Sequence, residues 1–314
     1  MSAIATLTVN PSVDISTNVE RMVPDDKLRA DNVQREPGGG GINVARAVVE
    51  LSGDEAAVQA VHTSGGSAGE VLGRLLSGVV ETIPVPISEE TRENLSVSET
   101  TTGKQYRLVM PGPEVTESEW DDCLEALGEL DPAPSWLVAS GSLPPGLPDD
   151  TYAALARQCR SRDLPLVLDT SGAPLAAACD EGVFLIKPNL GELARLVGRD
   201  LESDADIAQA VDGLIERGAA DAVVVSMGAG GAYVAGRDTE GRHLRAPTVP
   251  IRSTVGAGDS MVAGIVLGLA RGESLPAAAR FGVAAGAAAV MTPGSGLCRR
   301  DDTEALYRQI ESDG

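Results

Sequence analysis

Short apolar runs alternate along this chain with longer stretches in which apolar positions recur at helical spacing. Residues 4–9 read as a buried first strand, and further runs cover residues 136–139, 166–169, 183–187 and 222–226. Each later run leads into polar or glycine-rich residues and then into a helical pattern. That succession predicts βα units, an α/β fold and a mostly parallel sheet whose ligands gather at the carboxyl ends of the strands. Helices are expected over residues 41–51, 259–270, 275–289 and 303–311, the first of them opened by a glycine run. Two stretches break the rhythm. Residues 13–35 and 93–110 alternate apolar and polar positions with Thr, Ser and Val enriched, and Thr100 to Gly103 reads as a hairpin turn. They predict a small, partly exposed sheet projecting from the main one as a lid. No internal repeat or low-complexity linker intervenes, so residues 1–314 read as one domain.

Charge narrows the partners. The chain carries 46 acidic against 25 basic residues, a formal net charge of −21, and such a surface repels a nucleic-acid duplex or an anionic membrane. The most basic run, Arg299 and Arg300, is followed at once by Asp301 and Asp302. The first seven residues lack the basic start and long apolar run of a signal peptide, and no segment approaches about 18 uninterrupted apolar residues. The expectation is a cytoplasmic protein with no nucleic-acid or membrane partner. An acid excess of this size together with only three lysines predicts a halophilic protein; a GC-rich genome is the alternative for the lysine shortage but explains the acid excess less easily.

Composition also removes several chemistries. Cys123, Cys159, Cys179 and Cys298 form no CxxC pair, which leaves them as reduced, buried thiols. The two histidines, His62 and His243, sit in no metal-ligand spacing and beside no Gly-x-Ser-x-Gly turn, so a Ser-His-Asp hydrolase is disfavoured and a general base is expected to be a carboxylate. Only Lys27, Lys104 and Lys187 accompany 22 arginines; each is either a site that wants a compact point charge or a chance survivor.

Four segments carry candidate chemistry. Ser253-Thr-Val-Gly-Ala-Gly-Asp259-Ser leads into an apolar helix, so the amides of residues 257–259 would point outward at its N-terminus, a natural seat for phosphate oxygens. Asp259 is then either a helix cap or a functional carboxylate beside an anion hole; so placed, it is expected to stay ionised and be a weak base. It is not a Walker A loop, because no Gly-Lys-Ser/Thr ending follows. Upstream, Pro37-Gly-Gly-Gly-Gly41-Ile-Asn43-Val-Ala-Arg46 is either a structural hinge or a place where Asn43 meets a polar ligand such as a sugar. Asp14, expected just past the end of the first strand, is either a turn residue or a ligand contact. Lys187-Pro-Asn189-Leu-Gly-Glu192 follows another strand and matches a capping box, with a magnesium-holding role as the alternative. Ser140-Gly-Ser142-Leu-Pro-Pro-Gly146 reads as a rigid loop with hydroxyls available.

Taken together, these segments resemble the PfkB, or ribokinase-like, family of sugar kinases, and within it the minor-type 6-phosphofructokinases. The likeness runs from Thr6-Leu-Thr-Val-Asn10 through the glycine run, Gln105-Tyr-Arg-Leu-Val-Met-Pro-Gly112 and the Ser140 to Gly146 loop to Arg280-Phe-Gly-Val-Ala-Ala-Gly286. The related 1-phosphofructokinases and tagatose-6-phosphate kinases usually have Lys where Gly40 stands. The resemblance implies a three-layer α/β/α sandwich and ATP-dependent phosphorylation of fructose 6-phosphate to fructose 1,6-bisphosphate. It implies Asp259 as the base, with Gly256, Ala257 and Gly258 as the anion hole. Asp14, Gly39, Asn43 and Ser142 would bind the sugar, and Arg92 and Arg107 its existing phosphate. Lys27 would reach a sugar site across a homodimer interface formed by the lid. Lys187, Asn189, Ser226 and Gly228 would contact ATP, and Glu192 would organise Mg2+. A monovalent cation such as K+ would sit among Ser253, Val255, Ala289, Thr292 and Gly294, with Gly296 departing from the Arg of a close relative. The rival readings are a 1-phosphofructokinase or tagatose-6-phosphate kinase and, in a different class, a catalytically inactive sugar-phosphate sensor.

Overall fold

The computed structural model describes residues 3–53, 56–294 and 296–312. Its main sheet, as described, has nine strands in the order β13-β12-β11-β10-β9-β8-β1-β4-β5. These are β1 (Ala3–Thr8), β4 (Ala57–Ser64), β5 (Glu81–Pro86), β8 (Trp136–Ser140), β9 (Leu166–Asp169), β10 (Val183–Ile186), β11 (Ala220–Ser226), β12 (Ala232–Gly236) and β13 (Thr239–Leu244). From β5 to β11 every pairing is parallel, and β12 and β13 add an antiparallel edge. The unbroken apolar runs of the central strands follow from burial on both faces. Alternate residues of β1 divide between two cores: Ala5 and Leu7 pack on one side, Ile4 on the other.

Helices cover each face. One layer holds α3 (Glu117–Gly128), α4 (Thr151–Ser161), α5 (Ala173–Glu181), α6 (Leu190–Val197) and α7 (Asp204–Glu216), which bury Trp120, Tyr152, Leu175, Leu193 and Val211 against the sheet. The other holds α1 (Gly40–Ser52), α8 (Ala257–Ala270), α9 (Leu275–Val290) and α10 (Arg300–Ser312). A smaller cluster joins α2 (Gly66–Leu76) to Ile42 and Val13. The arrangement is the expected three-layer α/β/α sandwich. Helices α8 and α9 cross with almost no side chain between them: a Cβ built on Gly264 would lie 2.8 Å from Gly282 Cα.

The two alternating stretches do form a separate sheet, of four strands in the order β3-β2-β6-β7, from β2 (Ser12–Val19), β3 (Asp31–Gly38), β6 (Arg92–Glu99) and β7 (Gln105–Leu108). The hairpin turn lies where it was expected, between β6 and β7. Val13 and Ile15 pack toward α2, while Val33, Tyr106, Leu108, Val109 and Met110 are exposed. One expectation is corrected here. Asp14 does not end the first strand; it lies inside β2, paired with Glu36 on one side and Asn94 on the other. The chain needs only residues 9–11 to leave β1 and enter the lid.

The four cysteines are free and buried. No helix among the described residues is long and apolar enough to cross a membrane.

Candidate active site

Two cavities meet at the first turn of α8, above the carboxyl ends of the central strands. The first, of about 410 Å3, is polar, and its lining includes Asp14, Gly39, Asn43, Arg92, Ser142 and Asp259. Arg107, Asp169, Glu192, Val255 and Gly256 complete much of its wall.

The glycine run builds one side of it. Gly39 has a φ of 114°, open to glycine and strained for other residues, and caps α1. A Cβ on Gly40 would lie 2.2 Å from Ser140 Oγ, so α1 can begin only where the end of β8 touches bare backbone. That contact sets Asn43 in the first turn of α1, facing α8. Asn43 Nδ2 donates to Asp259 Oδ2 at 2.9 Å, and Arg46 Nη1 donates to Asn43 Oδ1 at 3.2 Å.

Asp259 is not a helix cap. The cap of α8 is Gly256, at φ 75°, and Asp259 follows as the third helical residue. Its expected weak basicity is also corrected. Burial, reinforced by the charge of Asp169, pushes its carboxyl up to about 6, against the opposing pull of Asn43 and Lys187. Desolvation by burial is the largest influence on this carboxyl.

Lys187, just past β10, is buried and places Nζ 3.2 Å from Asp169 Oδ1. Burial pulls the ammonium down, but Asp169, Asp259 and Glu192 more than offset it and hold it charged. Asp169, the last residue of β9, is the member of this cluster that the sequence reading missed. The signal was its position at the carboxyl end of a parallel strand, where ligands collect. Asn189 and Glu192 do form a capping box: the Asn189 amide donates to Glu192 Oε2 at 2.8 Å and the Glu192 amide to Asn189 Oδ1 at 2.9 Å. Glu192 nonetheless lines the polar cavity.

The remaining expected sugar-side residues divide. Asp14 accepts from Ser12 Oγ and Asn94 Nδ2 at 2.7 and 2.8 Å, and Ser142 Oγ accepts from Asn10 Nδ2 at 3.2 Å. Arg92 and Arg107 both reach the cavity, but Arg92 also donates to the carbonyls of Asn10 and Met110, tying the lid to the core. Lys27 is exposed in the β2–β3 connection and does not line its own chain's cavity.

The second cavity, about 430 Å3, is apolar, with Ile251, Met261, Val283 and Ala287 among its walls. Ser226 and Gly228, expected to contact ATP, border it, and Ala257 and Gly258 close the end that meets α8. The contributions of α9 and of residues 246–251 were not foreseen, because their apolar side chains look like any core.

The residues expected to hold a monovalent cation are linked by hydrogen bonds. Ser253 Oγ donates to the Gly294 carbonyl, the Val255 amide to Ser253 Oγ at 3.2 Å, and the Thr292 amide to the Ala289 carbonyl at 2.9 Å. A Cβ on Gly296 would lie 2.2 Å from Thr292 Cγ2, so a side chain there would displace this wall.

Residues 8–302 match the model of the pfkB family of carbohydrate kinases. The chain is 45% identical over 306 residues to the ATP-dependent 6-phosphofructokinase isozyme 2 of Mycobacterium tuberculosis, covering 97% of this chain and 88% of that one. It is 42% identical to the Escherichia coli protein of the same name, over 99% of each chain. The crystal structure of phosphofructokinase-2 from E. coli in complex with potassium superposes with a TM-score of 0.94 at 40% identity, covering 99% of this chain and all of that one.

Proposed function

The chain belongs to the pfkB family of carbohydrate kinases, and from that premise we propose that it phosphorylates fructose 6-phosphate with ATP, giving fructose 1,6-bisphosphate and ADP. The observation that carries this reading is the turn shared by the two cavities. Gly256 and Asp259 face the polar cavity and Ala257 and Gly258 the apolar one, so a group passing between them crosses a helix N-terminus.

The sugar occupies the polar cavity, with Asp14, Gly39, Asn43 and Ser142 on its hydroxyls and Arg92 and Arg107 at its phosphate. The nucleotide base and ribose occupy the apolar cavity beside Ser226 and Gly228, with Lys187 and Asn189 toward the phosphates. The O1 hydroxyl oxygen attacks the γ-phosphorus, the bond to the β–γ bridging oxygen breaks, and the hydroxyl proton passes to Asp259. Amides of residues 256–259 receive the equatorial oxygens of the transferring group. A carboxylate near 6 holds a proton more readily than an exposed one and is still mostly ionised at neutral pH. Asp169 holds Lys187 in place.

Asp169 and Glu192 supply hard oxygen donors suited to Mg2+, which takes few protein ligands and neutralises phosphate charge when bound. The loop of Ser253, Val255, Ala289, Thr292 and Gly294 is assigned to potassium. The exposed apolar residues of the lid pair two subunits, and Lys27 reaches the partner subunit's cavity. The enzyme works in a cytoplasm of high salt, where its charge of −21 is screened. Its melting temperature and activity should accordingly rise from tens of millimolar to molar KCl, and also with a larger monovalent cation; indifference to salt would remove the halophilic reading.

The deciding experiment is a substrate panel with ATP. Fructose 6-phosphate is expected to give a higher kcat/KM than fructose 1-phosphate, tagatose 6-phosphate or unphosphorylated sugars, since a Lys at position 40 would have to displace Ser140. A preference for fructose 1-phosphate or tagatose 6-phosphate would move the chain to that branch of the family. No ADP release with any sugar would make it a sensor.

A further inference from the structure

We propose that Arg46 is a positioning residue that fixes the side-chain amide of Asn43 so that its NH2 end faces Asp259. The inference rests on the reading of Asp259 as the base, and its observations are three hydrogen bonds. Asn43 Nδ2 donates to Asp259 Oδ2 at 2.9 Å, across 216 residues of sequence. Arg46 Nη1 donates to Asn43 Oδ1 at 3.2 Å and to the Pro37 carbonyl at 3.3 Å.

An amide has two ends of nearly equal shape and opposite chemistry. Turned over, Asn43 would set its carbonyl oxygen against an ionised carboxylate, two acceptors with no proton between them. A guanidinium has donors only, so Arg46 can bond the Oδ1 end and cannot bond the Nδ2 end. One helical turn separates the two residues, which lets Arg46 lie against Asn43 on the same face of α1. The bond to Pro37 anchors the guanidinium at the entrance of the glycine run. Glu36 on β3 and Asp14 on β2 face it as charges. The result is a chain of contacts from the lid junction through α1 to the first turn of α8.

Its chemical effect is on the base. Around Asp259 stand Asp169 from β9, Asp14 from β2, Lys187 from the end of β10 and Asn43 from α1. Burial and the two carboxylates favour the protonated form, whereas Lys187 and the Asn43 donor favour the ionised form. Without Arg46 the amide is held donor-first by Asp259 alone, so the one neutral donor in that set is fixed less firmly and favours the ionised form less.

The test reads Asp259 directly. The carboxyl carbon of Asp259 is titrated by 13C NMR in ligand-free protein, assigned by its loss in Asp259→Asn. Arg46→Met should raise the midpoint by roughly half a unit to one unit, about a three- to tenfold change in acid constant, and the acid limb of kcat should move with it. Arg46→Lys, which keeps a donor, should restore most of the wild-type midpoint. In an Asn43→Ala background Arg46→Met should add nothing further. An unchanged midpoint in Arg46→Met, or an equal shift without Asn43, overturns the proposal. Should Arg46→Met fail to fold by circular dichroism, Arg46→Ala, which also lacks a donor, provides the same comparison. Full turnover by Asp259→Asn would instead refute the base assignment, while the NMR titration still judges the relay.

Discussion

The two cavities share a wall and little else. On the polar side each important position is a particular functional group: the Asp259 carboxylate, the Asn43 amide, the Arg92 guanidinium. On the apolar side the wall is Met261, Val283, Ala287 and Ile251, where shape and volume matter and chemical identity matters less. The difference teaches that the reaction divides its two demands. The sugar must be oriented to within the reach of one proton transfer, whereas the nucleotide base must only be held while its far end reacts. Between them stands backbone, the first turn of α8, which serves whichever side chain lies to either hand.

The sharpest break in this comparison comes from Asp259→Asn. It should lower kcat by roughly 10²-fold or more with a smaller change in KM, the scale of losing a general base. Turnover within a few-fold of wild type would reduce the polar side to a binding surface like its neighbour. Next comes a mirror pair. Ala287→Leu, which fills the apolar cavity, should raise the KM for ATP about tenfold with little effect on the sugar. Arg92→Ala should raise the KM for fructose 6-phosphate about tenfold with little effect on ATP. Steady-state kinetics with each substrate varied in turn checks both, and parallel rises in the two constants would show that the cavities are coupled.

The smallest expected effect is on stability. Asp259 ionises near 6 in the folded protein against an ordinary 3.8, so the folded state holds its proton more tightly than the unfolded chain. The resulting stabilisation is present in acid and is lost as pH rises through 4 to 6, leaving a buried charge that costs stability at neutral pH. Asp259→Asn removes that charge. It should be more stable than wild type by about 1–2 kcal/mol at pH 8, after allowance for the altered bond to Asn43, and the gain should fade toward pH 4. Melts across that range settle the matter, and a variant less stable than wild type at pH 8 would contradict the electrostatic account.

Much of this was legible in the sequence, for reasons that differ by residue. Glycines that must admit bare backbone, as at Gly39 and Gly40, leave a mark no other residue leaves, so the α1 and α8 termini were found. The lid was found because alternation survives where only one face of a sheet is covered. Asp169 escaped because a carboxylate at the end of an apolar run looks like the first residue of a loop; its meaning comes from Lys187 on the next strand. Asp14 was misplaced because the connection from β1 to β2 is so short that two strands read as one strand and a turn. The acidity of Asp259 was misjudged because the helix dipole is written in the local sequence and burial is not. The wall of the apolar cavity left no trace, since Val283 and Ala287 obey the same pattern whether they face a core or a cavity.

The close crossing of α8 and α9 has a mechanical consequence. Two helices that meet at Gly264 and Gly282 with backbone nearly touching have no layer of side chains to deform, and one cannot slide or tilt without the other. The first turn of α8 and the α9 wall of the apolar cavity are therefore coupled as one stiff plate. The four-stranded sheet is attached differently, through the Asn10 segment, the Arg92 hydrogen bonds and the packing of Val13 and Ile15 on α2.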